Sequence, residues 1–245
     1  HDPFSSIHMG ITAENIAYEY NISREEMDRF ALDSQNKAMA AVKAGLFKDQ
    51  IVGIEVKKNR KITIFEEDEH IKPNTTIENL ASLRAAFKSD GLVTAGNSSG
   101  INDGTSSIVL ANEELSKMAK SAPLARIVSY GFGGVAPNIM GMGPIPASKM
   151  ALEKAKLKIS DLDLIESNEA FAAQACAVSK ALKLPQKIVN PNGGAIALGH
   201  PIGATGTIIM TKLVHELIRT KGRYGMATMC IGGGQGISVI IDTAV

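Results

Sequence analysis

The sequence has little of what defines several broad classes of protein. Only two of its 245 residues are cysteines, Cys176 and Cys230, which are too few for a disulfide framework and indicate a reducing compartment. The 26 Lys and Arg residues nearly balance the 25 Asp and Glu residues, and the net charge of +1 argues against nucleic acid or a membrane surface as a partner. No apolar run reaches the roughly 18 residues that span a bilayer, and no signal peptide precedes the first polar segment. We therefore expect a cytoplasmic protein.

Several common functional motifs are also missing. The glycine-rich segment 232–236 is followed by a β-branched strand, whereas a dinucleotide-binding fingerprint requires a helix there. The pair His215-Glu216 lacks the second histidine of a zinc-protease helix, and the His and Cys residues show no metal-ligand spacing. No Gly-x-Ser-x-Gly segment occurs, so a serine hydrolase is unsupported. We expect no metal site and no tightly bound cofactor.

The first part of the chain, residues 1–104, predicts helices followed by loops. Residues 11–47 have helical periodicity, with Thr12 and Ser23 as predicted N-caps. Residues 50–65 alternate like a strand pair around Asn59. The remainder, up to residue 104, has little regular period, and long ordered loops of this kind usually serve a site.

The segment 105–122 fits neither of its neighbours. Thr105–Ala111 predicts a strand and Asn112–Lys120 predicts a helix, yet no adjoining strands flank them in the sequence. Because a single strand cannot bury its faces alone, we expect this pair to belong to a sheet whose other strands lie outside this chain.

Strands and helices alternate from residue 123 to residue 245. This order predicts an α/β domain with a mixed, mostly parallel sheet covered by helices. The predicted strands are Leu124–Tyr130, Leu162–Glu166, Ile188–Asn190, Tyr224–Cys230 and Ile237–Ile241.

Two glycine-rich bends carry the residues of greatest chemical interest. His200 lies within Gly193–Gly206, and Cys230 opens onto Gly232-Gly233-Gly234. Glycine lets backbone or ligand approach closely, and backbone N–H groups in such bends stabilise a thiolate or an oxyanion. An imidazole and a thiol held in this way form a plausible acid/base pair. The alternatives are a structural core histidine and a buried structural cysteine.

Asn168 is a third candidate, in the segment Asn168-Glu169-Ala170-Phe171-Ala172 between a predicted strand and a predicted helix. Functional side chains of α/β sheets usually lie at this position. As a functional residue Asn168 would hold a water or a carbonyl oxygen, and as a structural one it would cap the helix. Cys176 lies in mid-helix among small residues, where packing explains it better.

These motifs together resemble the thiolase family. The segment at 168–172, the bend at 193–206 and the bend at 230–236 occur in the family's order and at its separations. The resemblance continues through upstream segments, which are His8-Met9-Gly10, Ala13-Glu14-Asn15, Ser34-Gln35-Asn36 and Thr94–Gly100. Within the family, the His8-Met9-Gly10 pattern is similar to the short-chain, acetoacetyl-CoA branch.

The resemblance implies a reaction and a role for each residue. The reaction is the reversible Claisen condensation of two acetyl-CoA to acetoacetyl-CoA and CoA. His200 would activate a nucleophilic cysteine and then hydrogen-bond a thioester oxygen, while Cys230 would be the second acid/base. Asn168 would hold a water that stabilises the enolate with His200, and the N–H of Gly232 would belong to another oxyanion hole.

The resemblance also implies which residues contact CoA and the acyl group. They are His8, Met9, Lys72, Phe87, Ala95, Ser99, Met140, Ala170 and Phe171. Lys72 is equally typical of a solvated surface, and Phe87 of an ordinary core. The complete protein would bind CoA thioesters and form a homo-oligomer, a dimer or a tetramer.

One departure from the family is serious. Thiolases use two catalytic cysteines, and neither Cys176 nor Cys230 has the context of the nucleophilic one. The chain therefore resembles roughly the last three-fifths of a thiolase without the N-terminal half, and we expect it to be inactive alone. The alternatives are a non-catalytic CoA-thioester binding fragment and a longer-chain degradative 3-ketoacyl-CoA thiolase.

Overall fold

The structure is a computed structural model that describes residues 1–58, 61–119 and 121–245. Its helices are α1 (Met9–Glu19), α2 (Arg24–Lys43), α3 (Ile77–Ala81), α4 (Glu113–Met118), α5 (Pro144–Ala155), α6 (Ala172–Leu182), α7 (Ala195–Leu198) and α8 (Thr205–Thr220). Its strands are β1 (Ile54–Lys58), β2 (Lys61–Phe65), β3 (Arg126–Gly134), β4 (Leu164–Ser167), β5 (Tyr224–Ile231) and β6 (Gln235–Asp242). None of the helices in the described ranges has both the length and the apolar character needed to cross a membrane.

Helices α1 and α2 begin at polar caps. The Ser23 side chain accepts a hydrogen bond from the Glu26 N–H at 3.2 Å, which confirms the predicted start of α2. The prediction for Thr12 is wrong. His8 caps α1, and Thr12 lies inside the helix, where its hydroxyl donates to the Met9 carbonyl at 2.6 Å.

Four strands form a single sheet in the order β3-β6-β5-β4. The expected α/β fold with a mixed sheet is confirmed, but the expected excess of parallel pairs is wrong for the strands described. β6 runs antiparallel to both β5 and β3, and β4 pairs parallel with β5. The physical reason is the connection between β5 and β6, because a three-residue turn reverses the chain whereas parallel neighbours need a long crossover.

Helices cover both faces of this sheet. Side chains of β4, β5 and β6 alternate between the faces, so that Ile165, Met226 and Ile240 pack with α5 and α6 in one cluster. Their sequence neighbours Leu164, Ala227 and Ile241 pack with α8 in another cluster. A third cluster joins α6 to α1 and α2. α6 therefore lies on one face of the sheet and α8 on the other.

The segment 105–122 differs partly from expectation. Thr105–Ala111 forms no strand and is largely exposed, since none of the described strands lies beside it to receive its backbone hydrogen bonds. A helix does follow, over Glu113–Met118, capped by Asn112; its predicted last residue, Lys120, lies outside the described residues. The predicted strand pair is present as β1 and β2, while Asn59 lies outside the described residues.

Candidate active site

The candidate site lies where the parallel strands β4 and β5 end. Parallel strands end at the same edge of a sheet, so the residues that follow β4 lie beside the end of β5. The Asn168 N–H extends the pairing by donating to the Thr228 carbonyl at 2.9 Å, two residues before Cys230. Asn168 does not cap a helix, because α6 begins at Ala172 and its N-cap is Phe171. Asn168 is thus held by the sheet, with its side chain nearly fully buried.

His200 is held in the bend between α7 and α8. The preceding residue, Gly199, has φ +95°, and a Cβ there would come within 2.7 Å of Asn102 Oδ1. That oxygen accepts a hydrogen bond from the His200 N–H at 3.1 Å. The left-handed glycine therefore allows the Asn102 side chain to approach and fix the backbone at His200.

The imidazole of His200 has two defined neighbours. Thr205 Oγ1 lies 2.7 Å from Nδ1, and Asn168 Nδ2 lies 3.5 Å from Nε2. The single hydroxyl proton of Thr205 is donated to the Pro201 carbonyl at 2.9 Å, so we assign its oxygen as the acceptor from His200 Nδ1–H. Nε2 then keeps its lone pair and faces the amide of Asn168. Burial lowers the pKa of His200 below its usual 6.5, which favours this neutral form.

Cys230 is buried near the end of β5. It is 6% exposed and forms a small cluster with Met140 and Ala170, against which Met9 and Phe171 pack. Burial raises the pKa of its thiol to about 12, so the resting side chain is protonated. Gly232 follows in the turn between β5 and β6 and is exposed, with open space where a Cβ would be.

The backbone from residue 168 to residue 170 links His200 to Cys230. Asn168 faces the imidazole, and Ala170, two residues later, packs against the thiol. No hydrogen bond joins the imidazole to the thiol within the described ranges. The two groups therefore flank one short segment of backbone, and their action as an acid/base pair stays a prediction.

A row of aromatic rings leads away from this segment. The His8 ring stacks on Phe87 with centroids 4.9 Å apart, and Phe87 meets Phe171 edge to face at 6.0 Å. Ser99 fixes the same backbone, because both its hydroxyl and its N–H donate to the Ala170 carbonyl, at 2.9 and 3.1 Å.

The structure thus brings together most of the residues expected to contact CoA. They are His8, Met9, Phe87, Ser99, Met140, Ala170 and Phe171. The contacts described do not join Lys72 or Ala95 to this group. Both are exposed, and the Lys72 N–H donates to Gln35 Oε1 at 2.9 Å.

A buried polar network beneath the site was not predicted from the sequence. Glu169 is 2% exposed and accepts hydrogen bonds from Ser34 at 2.6 Å, Asn190 at 2.8 Å and the Ile196 N–H at 3.2 Å. Burial raises the pKa of the Glu169 carboxyl. The available signal was the acidic residue inside the 168–172 motif, directly after Asn168. Its role is to tie α2 and the 193–206 bend to the segment that carries Asn168.

Sequence comparisons identify the family of the chain. The family model of the thiolase N-terminal domain matches residues 1–114, and that of the thiolase C-terminal domain matches residues 121–243. The chain belongs to the thiolase family. The expectation that the N-terminal half is lacking is corrected, because residues 1–114 match the domain of that half. Our division of the chain at residues 104 and 122 stays a prediction.

Individual relatives give the same assignment. Beta-ketothiolase BktB from Cupriavidus necator is 56% identical over 243 residues, which are 99% of this chain and 62% of that protein. The crystal structure of the Bacillus anthracis acetyl-CoA acetyltransferase is similar with a TM-score of 0.96 at 50% identity, over 99% of this chain and 61% of that one. Human mitochondrial 3-ketoacyl-CoA thiolase in complex with CoA has a TM-score of 0.89 at 48% identity, over 97% and 59%. The chain spans about three-fifths of the length of these relatives.

Proposed function

We propose that this chain supplies the acid/base part of a thiolase reaction, the reversible Claisen condensation of two acetyl-CoA to acetoacetyl-CoA and CoA. The observation that carries the proposal is the imidazole of His200, whose unprotonated Nε2 faces Asn168 beside the backbone that packs on Cys230. A base, a hydrogen-bond donor and a thiol at one sheet edge are the groups that removal of a thioester α-proton requires.

The proposed proton transfers balance within these residues. Because no hydrogen bond among the described residues joins the two side chains directly, the Sγ proton of Cys230 passes to Nε2 of His200 through a water, and the resulting thiolate removes a proton from the acetyl methyl group. The enolate oxygen is stabilised by the imidazolium N–H together with the Asn168 amide or a water that it holds. The N–H of Gly232, in its open turn, stabilises the oxyanion of the other half-reaction.

The nucleophilic thiol of the complete reaction has no candidate in this sequence. Its second cysteine, Cys176, lies inside α6, and burial raises the pKa of its thiol to about 12. Because covalent acyl transfer requires a reactive nucleophile, we propose that the 245-residue chain alone does not turn over. Mixing it with acetoacetyl-CoA and CoA should leave the absorbance of the substrate enolate constant, and a sustained decrease would contradict this.

Enolisation without condensation is the direct test of the acid/base proposal. In D2O the chain should exchange the methyl protons of acetyl-CoA for deuterium, and loss of the methyl signal by ¹H NMR measures the rate. Cys230→Ala should slow the exchange by roughly 10²–10⁴, the usual contribution of one acid/base group. Cys176→Ala is the matched control and should exchange normally. Equal rates for the two variants would refute the role of Cys230.

A second candidate has specific support from the relatives. BktB is named a beta-ketothiolase and the human protein a 3-ketoacyl-CoA thiolase, so a longer acyl chain is an alternative substrate. The His8-Met9-Gly10 segment favours the short-chain assignment. Exchange rates for acetyl-CoA and for a long-chain acyl-CoA distinguish the two. A chain that binds acetyl-CoA but exchanges neither substrate would instead be a non-catalytic binding protein.

We propose the remaining properties from the family resemblance. CoA and acetyl-CoA are substrates, and the aromatic row formed by His8, Phe87 and Phe171 lies along their path. Exposed apolar side chains of β1 and β2, such as Ile62 and Ile64, support a homo-oligomer, a dimer or a tetramer. Both cysteines are unpaired thiols, in keeping with a cytoplasmic location.

A further inference from the structure

Helix α8 carries a lysine that is buried behind the candidate site. The side chain of Lys212 is only 7% exposed, and its Nζ lies 2.7 Å from Oε2 of Glu166, whose side chain is 1% exposed. Lys212 also donates to the Gly193 carbonyl at 2.6 Å. An ion pair at this depth loses much of its hydration energy, so it is weak evidence for added stability and calls for another explanation.

Lys212 connects the segments that hold the two polar groups of the site. Glu166 lies in β4, two residues before Asn168, and Gly193 begins the bend that leads to His200. Thr205, in the first turn of the same helix, contacts the imidazole of His200. Through one helix, therefore, the position of the amide is tied to the position of the imidazole.

Both residues of the ion pair and Asn168 line one small cavity. Its volume is about 20 Å³, and the residues that surround it include Glu166, Asn168, Leu198, Thr205, Ile209 and Lys212. Two buried oxygens of these residues have no hydrogen-bond partner in the described protein, Glu166 Oε1 and Asn168 Oδ1. A cavity of roughly 10–15 Å³ holds one water, and one water donates two hydrogen bonds. A single water therefore fits the volume, and its two protons match the two unpartnered oxygens in number.

We propose that Lys212 and Glu166 are positioning residues, which act through one water in this cavity to hold Asn168 with Nδ2 towards His200. This inference rests on the proposed function for its catalytic meaning. Burial raises the pKa of the Glu166 carboxyl, and the Lys212 ammonium 2.7 Å away opposes that rise. As the carboxylate partner of Lys212, Glu166 offers Oε1 as an acceptor, and a water between Oε1 and Asn168 Oδ1 donates to both. Asn168 then presents Oδ1 to the cavity and Nδ2 to the imidazole, because the reverse orientation would place its oxygen against the unprotonated Nε2 of His200, acceptor against acceptor.

The test compares two ion pairs of the same helix. Lys212→Met and Glu166→Gln remove the proposed positioning pair. Arg219→Met is the matched control, because Arg219 pairs with Glu216 at 2.6 Å further along α8, away from the cavity. Lys212→Arg keeps the positive charge and should restore the behaviour of the parent chain if charge at this site is what matters.

The readout is the NMR spectrum of the 245-residue chain, together with its melting temperature. In Lys212→Met and Glu166→Gln we expect the side-chain amide signals of Asn168 and the ring ¹⁵N signals of His200 to shift. The control should lower the melting temperature without shifting them. Unchanged Asn168 and His200 signals in a folded Lys212→Met or Glu166→Gln chain would overturn the proposal. A high-resolution crystal structure of the parent chain that shows a dry cavity would do the same if Lys212→Met does not fold.

Catalysis gives a separate result. If the parent chain exchanges the acetyl-CoA methyl protons, Lys212→Met should reduce kcat about tenfold, as for one lost buried hydrogen bond, with KM little changed. An equal loss of kcat in Arg219→Met would contradict a positioning role for Lys212. If the parent chain shows no exchange, the proposed function fails, while the NMR comparison still decides whether Lys212 orients Asn168.

Discussion

The hydroxyl of Thr205 should determine which nitrogen of His200 carries the proton. Thr205→Val keeps the shape of the side chain but removes the only acceptor described for Nδ1–H. The Pro201 carbonyl, which also loses the hydroxyl, still accepts from the Ala204 and Thr205 N–H groups at 2.8 Å. The substitution therefore leaves the Nδ1–H of His200 without a described acceptor, while the Pro201 carbonyl remains hydrogen-bonded.

The size of the effect follows from this one lost partner. Leaving a buried donor unsatisfied costs about 1–3 kcal/mol, and Thr205 is 2% exposed while His200 is half-buried. If His200 avoids that cost by moving its proton to Nε2, the lone pair no longer faces Asn168. We expect the methyl exchange of acetyl-CoA to slow by roughly 5–150-fold, which is the same free energy expressed as a rate.

The assay is ¹⁵N NMR of the histidine ring, combined with the exchange rate. The parent chain should show Nδ1 protonated and Nε2 unprotonated, and Thr205→Val should show a mixture or the reverse. Thr211→Val is the matched control, since this hydroxyl donates to the Thr207 carbonyl at 2.9 Å and does not contact His200. A Thr205→Val chain with the parent's tautomer and exchange rate would refute the assignment.

Three further predictions concern stability and reactivity. Gly234→Ala should lower the free energy of unfolding by about 2 kcal/mol or more, since its φ is +86° and a Cβ would meet a carbonyl oxygen at 2.2 Å; Gly232→Ala, with open space, should be nearly neutral in urea denaturation. Because the pKa of His200 is lowered, the unfolded chain binds the proton more readily, and the free energy of unfolding should fall as the pH drops below 6.5. In His200→Gln the free energy of unfolding should fall less as the pH drops. A pH profile identical to that of the parent chain would show that His200 is not responsible. Iodoacetamide should alkylate Cys230 about a thousandfold more slowly than a free cysteine at neutral pH, since its pKa is about 12; rapid labelling of the folded chain would show otherwise.

The sequence predicted local structure better than strand direction. The succession of strand-like and helix-like segments located β3, β4, β5 and β6, because each segment's type depends on its local sequence. It did not reveal that β3 pairs with β6, whose register joins Arg126 to Asp242, more than a hundred residues away. The local sequence of Thr105–Ala111 likewise predicted a strand. A strand also needs a partner for its backbone, and the described residues offer none there.

The same limit applies to the candidate site. His200, Asn168 and Cys230 were recognisable because each lies in a glycine-rich bend or at the junction of a strand and a helix. Lys212 was not, since a lysine in an amphipathic helix ordinarily faces solvent. Its burial, and the position of Thr205 against the imidazole, depend on how α8 packs across β4 and β5. Only the assembled structure contains that information.

The central claim is that the imidazole of His200 and the thiol of Cys230 serve one cavity. A crystal structure of the chain with acetyl-CoA tests it most directly. We predict the thioester oxygen within hydrogen-bonding distance of His200 Nε2 or Asn168 Nδ2, and the acetyl methyl group in van der Waals contact with Cys230 Sγ. A bound thioester that reaches only one of the two side chains, with the other enclosed in a separate compartment, would contradict the account.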